Sequence, residues 1–268
     1  MNSFKLEIYA TDGCFYNGDC EHLVFGSADG SRGVMAGHEP MIFAFAVNQY
    51  DENMRKVIPH YDEIYEQIFS VIEAHCGDKP LAVLDTGCGT GTLGKMAIER
   101  LKLSELVLCD PSEKMLADAQ GKLKNQVCEF HCIGSEKLDF ENRFDVVTAI
   151  QSHHYFDRAT RERAVKNCFK ALKPSGIFIC FENTAPFSET GKELMLKRLE
   201  DYEIQAGRTP EEVKSHSARY DREFFPITIK EHLELLEKTG FSAAELFWHS
   251  YMQSGFYAVK KIWEQARA

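Results

Sequence analysis

Long apolar runs are scarce in this chain of 268 residues. The longest, Met41 to Val47 and Ile177 to Phe181, fall far short of the ~20 residues a membrane span needs. The N-terminus opens Met-Asn-Ser-Phe-Lys-Leu-Glu, without the apolar segment of a signal peptide. A cytoplasmic protein with no membrane partner is the expectation. Positive charge is short as well: 31 Lys and Arg stand against 41 Asp and Glu, for a net charge of −10. That balance argues against broad binding to a phosphate backbone, which needs clustered Lys and Arg. The small basic cluster at Lys122 and Lys124 reads as a solvated helix face. Tight Cys/His clusters are missing too. The nine cysteines are scattered, and only Cys128, His131 and Cys132 stand close together. No second Cys pair at zinc spacing accompanies them. Strand alternation would also put Cys128 and Cys132 on one face and His131 on the other, so no metal is expected. There is no internal repeat and no low-complexity tract.

What is present is enough apolar residue, 44%, to bury a substantial core. The pattern changes near residue 48. Before it, short extended runs (Lys5–Tyr9, His22–Phe25, Ile42–Ala46) are separated by turn clusters at Thr11-Asp12-Gly13, Asn17-Gly18-Asp19 and Ala28-Asp29-Gly30-Ser31. Residues 1–47 therefore read as a small all-β unit. From 48 to 268 the pattern is α/β. Apolar residues at helical spacing between Tyr50 and Ala74, split by Pro59, predict two helices. Strands then alternate with helices: Leu81–Asp85, Glu105–Cys109, Val127–His131, Asp145–Ile150 and, after a turn at Lys173–Gly176, Ile177–Glu182. Helices are expected from about Thr92, from Asp110 or Ser112 as cap, and from about Arg158. Such alternation implies parallel βαβ units. Residues 187–226 interrupt it with a charged helical insertion that reads as a cap. Lys230–Lys238 is a further helix ended by Gly240. Phe241–His249 and Gly255–Lys260 close the sheet, the last of them antiparallel.

The chemistry centres on Val83-Leu84-Asp85-Thr86-Gly87-Cys88-Gly89-Thr90-Gly91, between a strand and a helix. The glycines permit a sharp turn and close approach of a ligand, and the following helix N-terminus offers free N–H groups. Two details separate this loop from the dinucleotide fingerprint G-x-G-x-x-G. Thr92 stands where the last glycine would be. Asp85, at the strand end, would repel a pyrophosphate but suits a cationic ammonium, as in S-adenosylmethionine (SAM). Asp110, at the end of the next strand, is placed to accept hydrogen bonds from ribose hydroxyls.

With these motifs, residues 50–268 resemble the class I SAM-dependent methyltransferases, a Rossmann-like α/β fold. The resemblance implies SAM as cofactor and S-adenosylhomocysteine as product. It implies that Asp85, Gly87, Cys88, Gly89 and Gly91 hold the methionyl part, and that Asp110 and Pro111 border the ribose. Met115 would flank the adenine. The family's acid toward the adenine amino group is replaced by Ser135. The leader helix would bring Tyr50 and Arg55 to the SAM carboxylate, the alternative being a core Tyr50 and a solvated Arg55. The stretch Ile150-Gln151-Ser152-His153-His154-Tyr155-Phe156 ends the fourth strand, where open α/β sheets bind ligands. Gln151 is placed there at the cofactor. His153 or His154 is a candidate base for a substrate hydroxyl, thiol or amine; the alternative is a capping or packing role. Tyr155 and the cap residues Arg219, Tyr220 and Arg222 are the candidate acceptor contacts.

Residues 4–47 resemble the first part of the ATP synthase epsilon subunit, on Phe4-Lys5-Leu6-Glu7-Ile8, Phe15-Tyr16-Asn17-Gly18 and Gly33-Val34-Met35-Ala36-Gly37-His38-Glu39-Pro40. Only half of that family's sandwich fits here, which leaves an apolar face to be covered either by a homodimer through residues 1–47, the favoured expectation, or by packing on the chain's own α/β domain. Three functions compete. The first is methyl transfer to a small-molecule acceptor. The second is modification of tRNA or another RNA, since Phe247-Trp248-His249-Ser250-Tyr251 and Gly255-Phe256 are faintly similar to carboxy-SAM synthases. The third is a non-catalytic SAM-binding assembly module.

Overall fold

The computed structural model describes residues 4–10, 13–20, 22–27, 30–35 and 48–261. It divides into two compact units, Met1–Asp51 and Glu52–Ala268. The first contains two antiparallel pairs, β1 (Phe4–Ala10) with β2 (Gly13–Cys20) and β3 (His22–Ser27) with β4 (Gly30–Met35). The Asn17-Gly18-Asp19 turn expected from sequence is instead mid-strand. Asn17, Gly18 and Asp19 pair with Glu7, Leu6 and Lys5, so cross-strand pairing overrides local turn preference. The expected strand Ile42–Ala46 lies outside the described residues.

Helices α1 (Asn48–Val57) and α2 (Tyr61–Cys76) meet near Pro59, as the split periodicity predicts. The sheet follows with its helices: β5 (Leu81–Thr86), α3 (Thr92–Arg100), β6 (Leu103–Cys109), α4 (Glu113–Lys122), β7 (Glu129–His131), β8 (Phe144–Ile150), α5 (Arg158–Ala171) and β9 (Leu172–Ala185). After it come α6 (Glu189–Gln205), α7 (Pro210–Ser217), β10 (Ile227–Thr228), α8 (Ile229–Thr239), β11 (Ala243–Ser250) and β12 (Gln253–Val259). The strand order is β11-β12-β9-β8-β5-β6-β7. The run from β9 through β7 is parallel, β12 is antiparallel to β9, and β11 is antiparallel to β12. This is the expected mostly parallel α/β sheet with an antiparallel last strand.

The sequence decides which face each helix covers. On α2, Ile64, Ile68, Phe69 and Ile72 form one apolar stripe. With Leu93 and Ala97 of α3 they pack on Val83, Ile177, Ile179 and Phe181 of the sheet. On the other face, Val165 and Cys168 of α5 and Leu236 of α8 cover Leu84, Val147, Phe178 and Phe256. Every residue of β5 is buried, as a central parallel strand with both faces covered requires. The expected turn at Lys173–Gly176 is absorbed into β9 as an irregularity. Phe144 pairs with Leu172 and Val146 with Ile177, and Ser175 takes φ 64° to accommodate the extra residues. Ser188 and Thr209 cap the two insertion helices, Pro210 opens the second, and Gly240 ends α8 in the left-handed conformation. No helix among the described residues is long and apolar enough to cross a membrane, and none of their His, Cys, Asp and Glu residues form a metal-holding cluster.

Candidate active site

The parallel strands aim their C-terminal ends at one edge, and the order reverses between β5 and β8. Such a switch point opens a crevice for a ligand. The Asp85–Gly91 segment sits there. Asp85 is buried and accepts a 2.7 Å hydrogen bond from Thr148 Oγ1 on the neighbouring strand. Burial pushes its carboxyl up to about 7, with the Thr148 bond opposing and the nearby Asp110 charge adding. Gly87, Gly89 and Gly91 all have positive φ (69°, 54° and 75°). At Gly87 a side chain is also excluded by space, since an added Cβ would lie 2.5 Å from Ser152 Cβ. Cys88 is buried and burial raises its thiol, so its use to a ligand is its backbone.

Asp110 joins the loop to the next helix. Its Oδ2 accepts from Gly89 N and its Oδ1 from Ser112 N, both at 2.9 Å. One carboxylate thereby fixes the glycine loop and the entry to α4, while its remaining lone pairs stay available to a ligand. Ser112, not Asp110, caps α4, accepting from Met115 N. Pro111 is exposed and Met115 half-buried at this edge. Gln151 follows β8 with φ 54° and donates to Gln253, which donates to Asn183. These amides tie β8, β9 and β12 together at this edge.

The two histidines separate clearly. His153 is buried, its Nε2 lies 3.0 Å from Ser135 Oγ, and its ring packs against Phe178 and Phe156. Burial pushes it down to about 4, so it is a neutral core group. Ser135, expected at the adenine, is thus bound to His153. The neighbouring Glu136 carries a buried Oε2 without a hydrogen-bond partner. His154 has its Nδ1 3.0 Å from Glu182 Oε2. Glu182 is fully buried and also accepts from the backbone N–H of His153 (3.2 Å) and His154 (2.9 Å). Burial works to raise its carboxyl, but the His154 bond and the surrounding histidines hold it below its ordinary value. An ionised Glu182 fixes the His154 tautomer with Nδ1 protonated and Nε2 as the acceptor. No residue among those described bonds that Nε2.

The end of the cap insertion docks on the same loop. Phe225 N donates to His154 O at 2.7 Å, and Arg161 donates to both His153 O and Phe225 O. Phe224 meets the rings of His154 and Tyr155. Of the cap residues expected at the acceptor, Arg219 lies over the Phe224 ring and bonds Glu223, Tyr220 is buried with an unpartnered hydroxyl, and Arg222 is exposed. Arg55 bonds Asp62 and stands over the Tyr61 ring. The reading of the Tyr50 side chain lies outside the described residues. Sequence reasoning missed Glu182, whose one signal was an acid closing the apolar run Ile177–Phe181. It also missed Phe224.

The buried groups give a pH expectation. His153 and His232 are both pushed down to about 4 by burial. Between about pH 6.5 and 4 the unfolded chain binds their protons and the folded chain does not, so stability falls as pH falls. Asp85, raised to about 7, acts with the opposite sign, because its folded form holds a proton that the unfolded form has released. Two histidines against one aspartate leave a loss of about 1.4 kcal/mol per pH unit. Urea midpoints measured at pH 6.5 and pH 5 should show the decline.

Residues 83–176 match the family model described as "Methyltransferase domain". The carboxy-S-adenosyl-L-methionine synthase of Staphylococcus epidermidis is 27% identical over 217 residues, covering 80% of this chain and 93% of that protein. The same-named protein of Wolinella succinogenes is 26% identical over 215 residues, covering 79% and 89%. Among solved structures, a putative methyltransferase from Bacillus halodurans aligns with TM-score 0.53 at 15% identity, over 73% of this chain and all but 1% of that one. A SAM-dependent methyltransferase from Methanosarcina mazei aligns with TM-score 0.54 at 18% identity, over 72% and 97%. These structures share the fold. Fold and domain match together point to an enzyme of SAM-dependent methyl-transfer chemistry, with SAM as its cofactor.

Proposed function

We propose that the enzyme transfers the methyl group of SAM to a small-molecule acceptor, with His154 as the general base. The observation that carries this reading is the Glu182–His154 pair. It places a nitrogen of fixed tautomer beyond the strand ends, on the loop whose Ser152 abuts Gly87. Many methyl transfers need only alignment. A histidine held by a fully buried carboxylate is more than alignment requires, and it suits an acceptor that must lose a proton.

The residues present fit SAM. Gly87 and Gly91 let the loop pack on Ser152 and Ala119, and Gly89, with open space beside it, takes the methionyl chain, bordered by the Cys88 backbone and Gln151. Asp85 faces its ammonium, and Asp110 takes the ribose hydroxyls beside Pro111. Met115 covers the adenine. Ser135 is taken up by His153, and the neighbouring Glu136, whose buried Oε2 has no partner, would accept from the adenine amino group in its place. SAM supplies a methyl carbon on a positively charged sulfur, activated without help from the protein. Arg219, Tyr220 and Arg222 belong to the acceptor side, together with Tyr155.

A second reading, synthesis of carboxy-SAM, is supported by relatives of that name whose similarity spans most of their own length. One experiment separates the two. The enzyme is turned over with methyl-labelled SAM in a small-metabolite extract, and the adenosine-containing product is weighed by mass spectrometry. Methyl transfer yields S-adenosylhomocysteine and moves the label to another molecule. Retention of the label in a heavier, carboxylated nucleoside would replace the first reading with the second.

A further inference from the structure

We propose that the acceptor is a phenol, its ring placed against Tyr155 and Phe224 and its hydroxyl at His154 Nε2. This rests on the methyl-transfer reading above and names the substrate class of that site.

Three observations converge on it. The first is the shape of the wall. The rings of His154 and Tyr155 lie 4.5 Å apart, those of His154 and Phe224 5.4 Å, and those of Tyr155 and Phe224 5.3 Å. Three mutually touching rings make an aromatic corner, and further aromatic rings add to such a corner edge-to-face or offset. Tyr155 is 47% exposed although it is large and apolar, so its face is open to an incoming molecule. Phe224 is buried, and the Phe225 N–H bond to His154 O fixes the corner to the base.

The second observation is charge. The Arg219 guanidinium lies 4.4 Å from the Phe224 ring centre and beside the Tyr155 hydroxyl, held by Glu223 at 2.7 Å. Its charge is shared with Glu223, and its remaining N–H groups can donate to an acceptor oxygen that becomes negative as it reacts.

The third is the kind of base, an imidazole whose Nδ1 is held 3.0 Å from a buried carboxylate. A phenolic hydroxyl, with an ordinary pKa of about 10, is within reach of such a base. An aliphatic alcohol is a far weaker acid. A thiol ionises at about 8.5 and gains little from a base held this firmly. In the transfer, the phenol O–H bond breaks and its proton goes to His154 Nε2. The oxygen pair forms the O–CH3 bond as the C–S pair leaves with sulfur in S-adenosylhomocysteine, and His154 returns its proton to water.

The test uses the full chain with SAM and four para-substituted aromatic acceptors: 4-methylphenol, 4-methylbenzyl alcohol, 4-methylbenzylamine and 4-methylbenzyl thiol. S-adenosylhomocysteine formation gives kcat/KM for each. Calorimetry gives the affinity for 4-methylphenol with S-adenosylhomocysteine present. The phenol is expected to exceed each of the others at least tenfold in kcat/KM. Tyr155→Leu, at a half-exposed position, should weaken phenol binding about tenfold and leave the SAM dissociation constant unchanged. Arg219→Gln should lower kcat/KM for the phenol. If the amine or thiol is methylated best, the phenol assignment falls and methyl transfer stands. If no acceptor yields S-adenosylhomocysteine and the phenol does not bind, both fall. Phenol binding that is equal in wild type, Tyr155→Leu and Arg219→Gln also overturns the assignment.

Discussion

Replacing His154 with Gln is expected to lower kcat about 10²–10⁴-fold, the range that general-base catalysis supplies, while SAM binding is unchanged. His154 Nδ1 is held 3.0 Å from Glu182 Oε2, and its Nε2 is the one nitrogen left to receive a proton. Because His154 is buried, a loss of activity alone could report damaged packing. The SAM dissociation constant and the urea midpoint separate the two: a lost base lowers kcat and leaves both near wild type, whereas damaged packing shifts them as well. Glu182→Gln keeps the size of the side chain and removes its charge, so it should lower kcat strongly as well, by releasing the tautomer that makes Nε2 an acceptor. If His154→Gln keeps wild-type kcat, His154 is a packing residue.

The second large effect is expected at Asp110. An alanine there removes the ribose acceptor and also the two 2.9 Å bonds that tie Gly89 and Ser112 to one carboxylate. The loss should be about 1–3 kcal/mol in SAM binding, or roughly 5–150-fold in Kd. The protein should still fold, since the apolar core is intact, but with some loss of stability because Gly89 N and Ser112 N lose their acceptor. A Kd equal to wild type would remove Asp110 from the site.

Much of this was legible in the sequence because its signals are local. The fully buried β5, the glycines at 87, 89 and 91, and the acids at 85 and 110 are written within 30 residues of chain, between Leu81 and Asp110. Periodicity also gave α2, α5 and α8 within a few residues. Signals that depend on partners distant in sequence were not legible. Nothing near His153 and His154 says which ring meets a carboxylate, since Glu182 reaches them from the next strand, 28 residues away. The same holds for Ser135, whose hydroxyl is taken up by His153 from 18 residues away. Turn chemistry misled twice. Asn17-Gly18 is drawn into β2 by its pairing with β1, and Lys173–Gly176 is taken into β9 with Ser175 in the left-handed conformation. In both places, strand pairing outweighs a local preference worth about 1 kcal/mol.

The most direct test of the central claim is a pair of calorimetric titrations, SAM and NAD each into the wild-type chain. Both nucleosides offer a ribose to Asp110, so that residue alone does not discriminate. The buried Asp85 below a glycine loop does, because it attracts an ammonium and repels a pyrophosphate, and Thr92 stands where a dinucleotide loop needs glycine. SAM should bind at micromolar concentration and NAD should give no heat of binding. NAD binding without SAM binding would contradict the account.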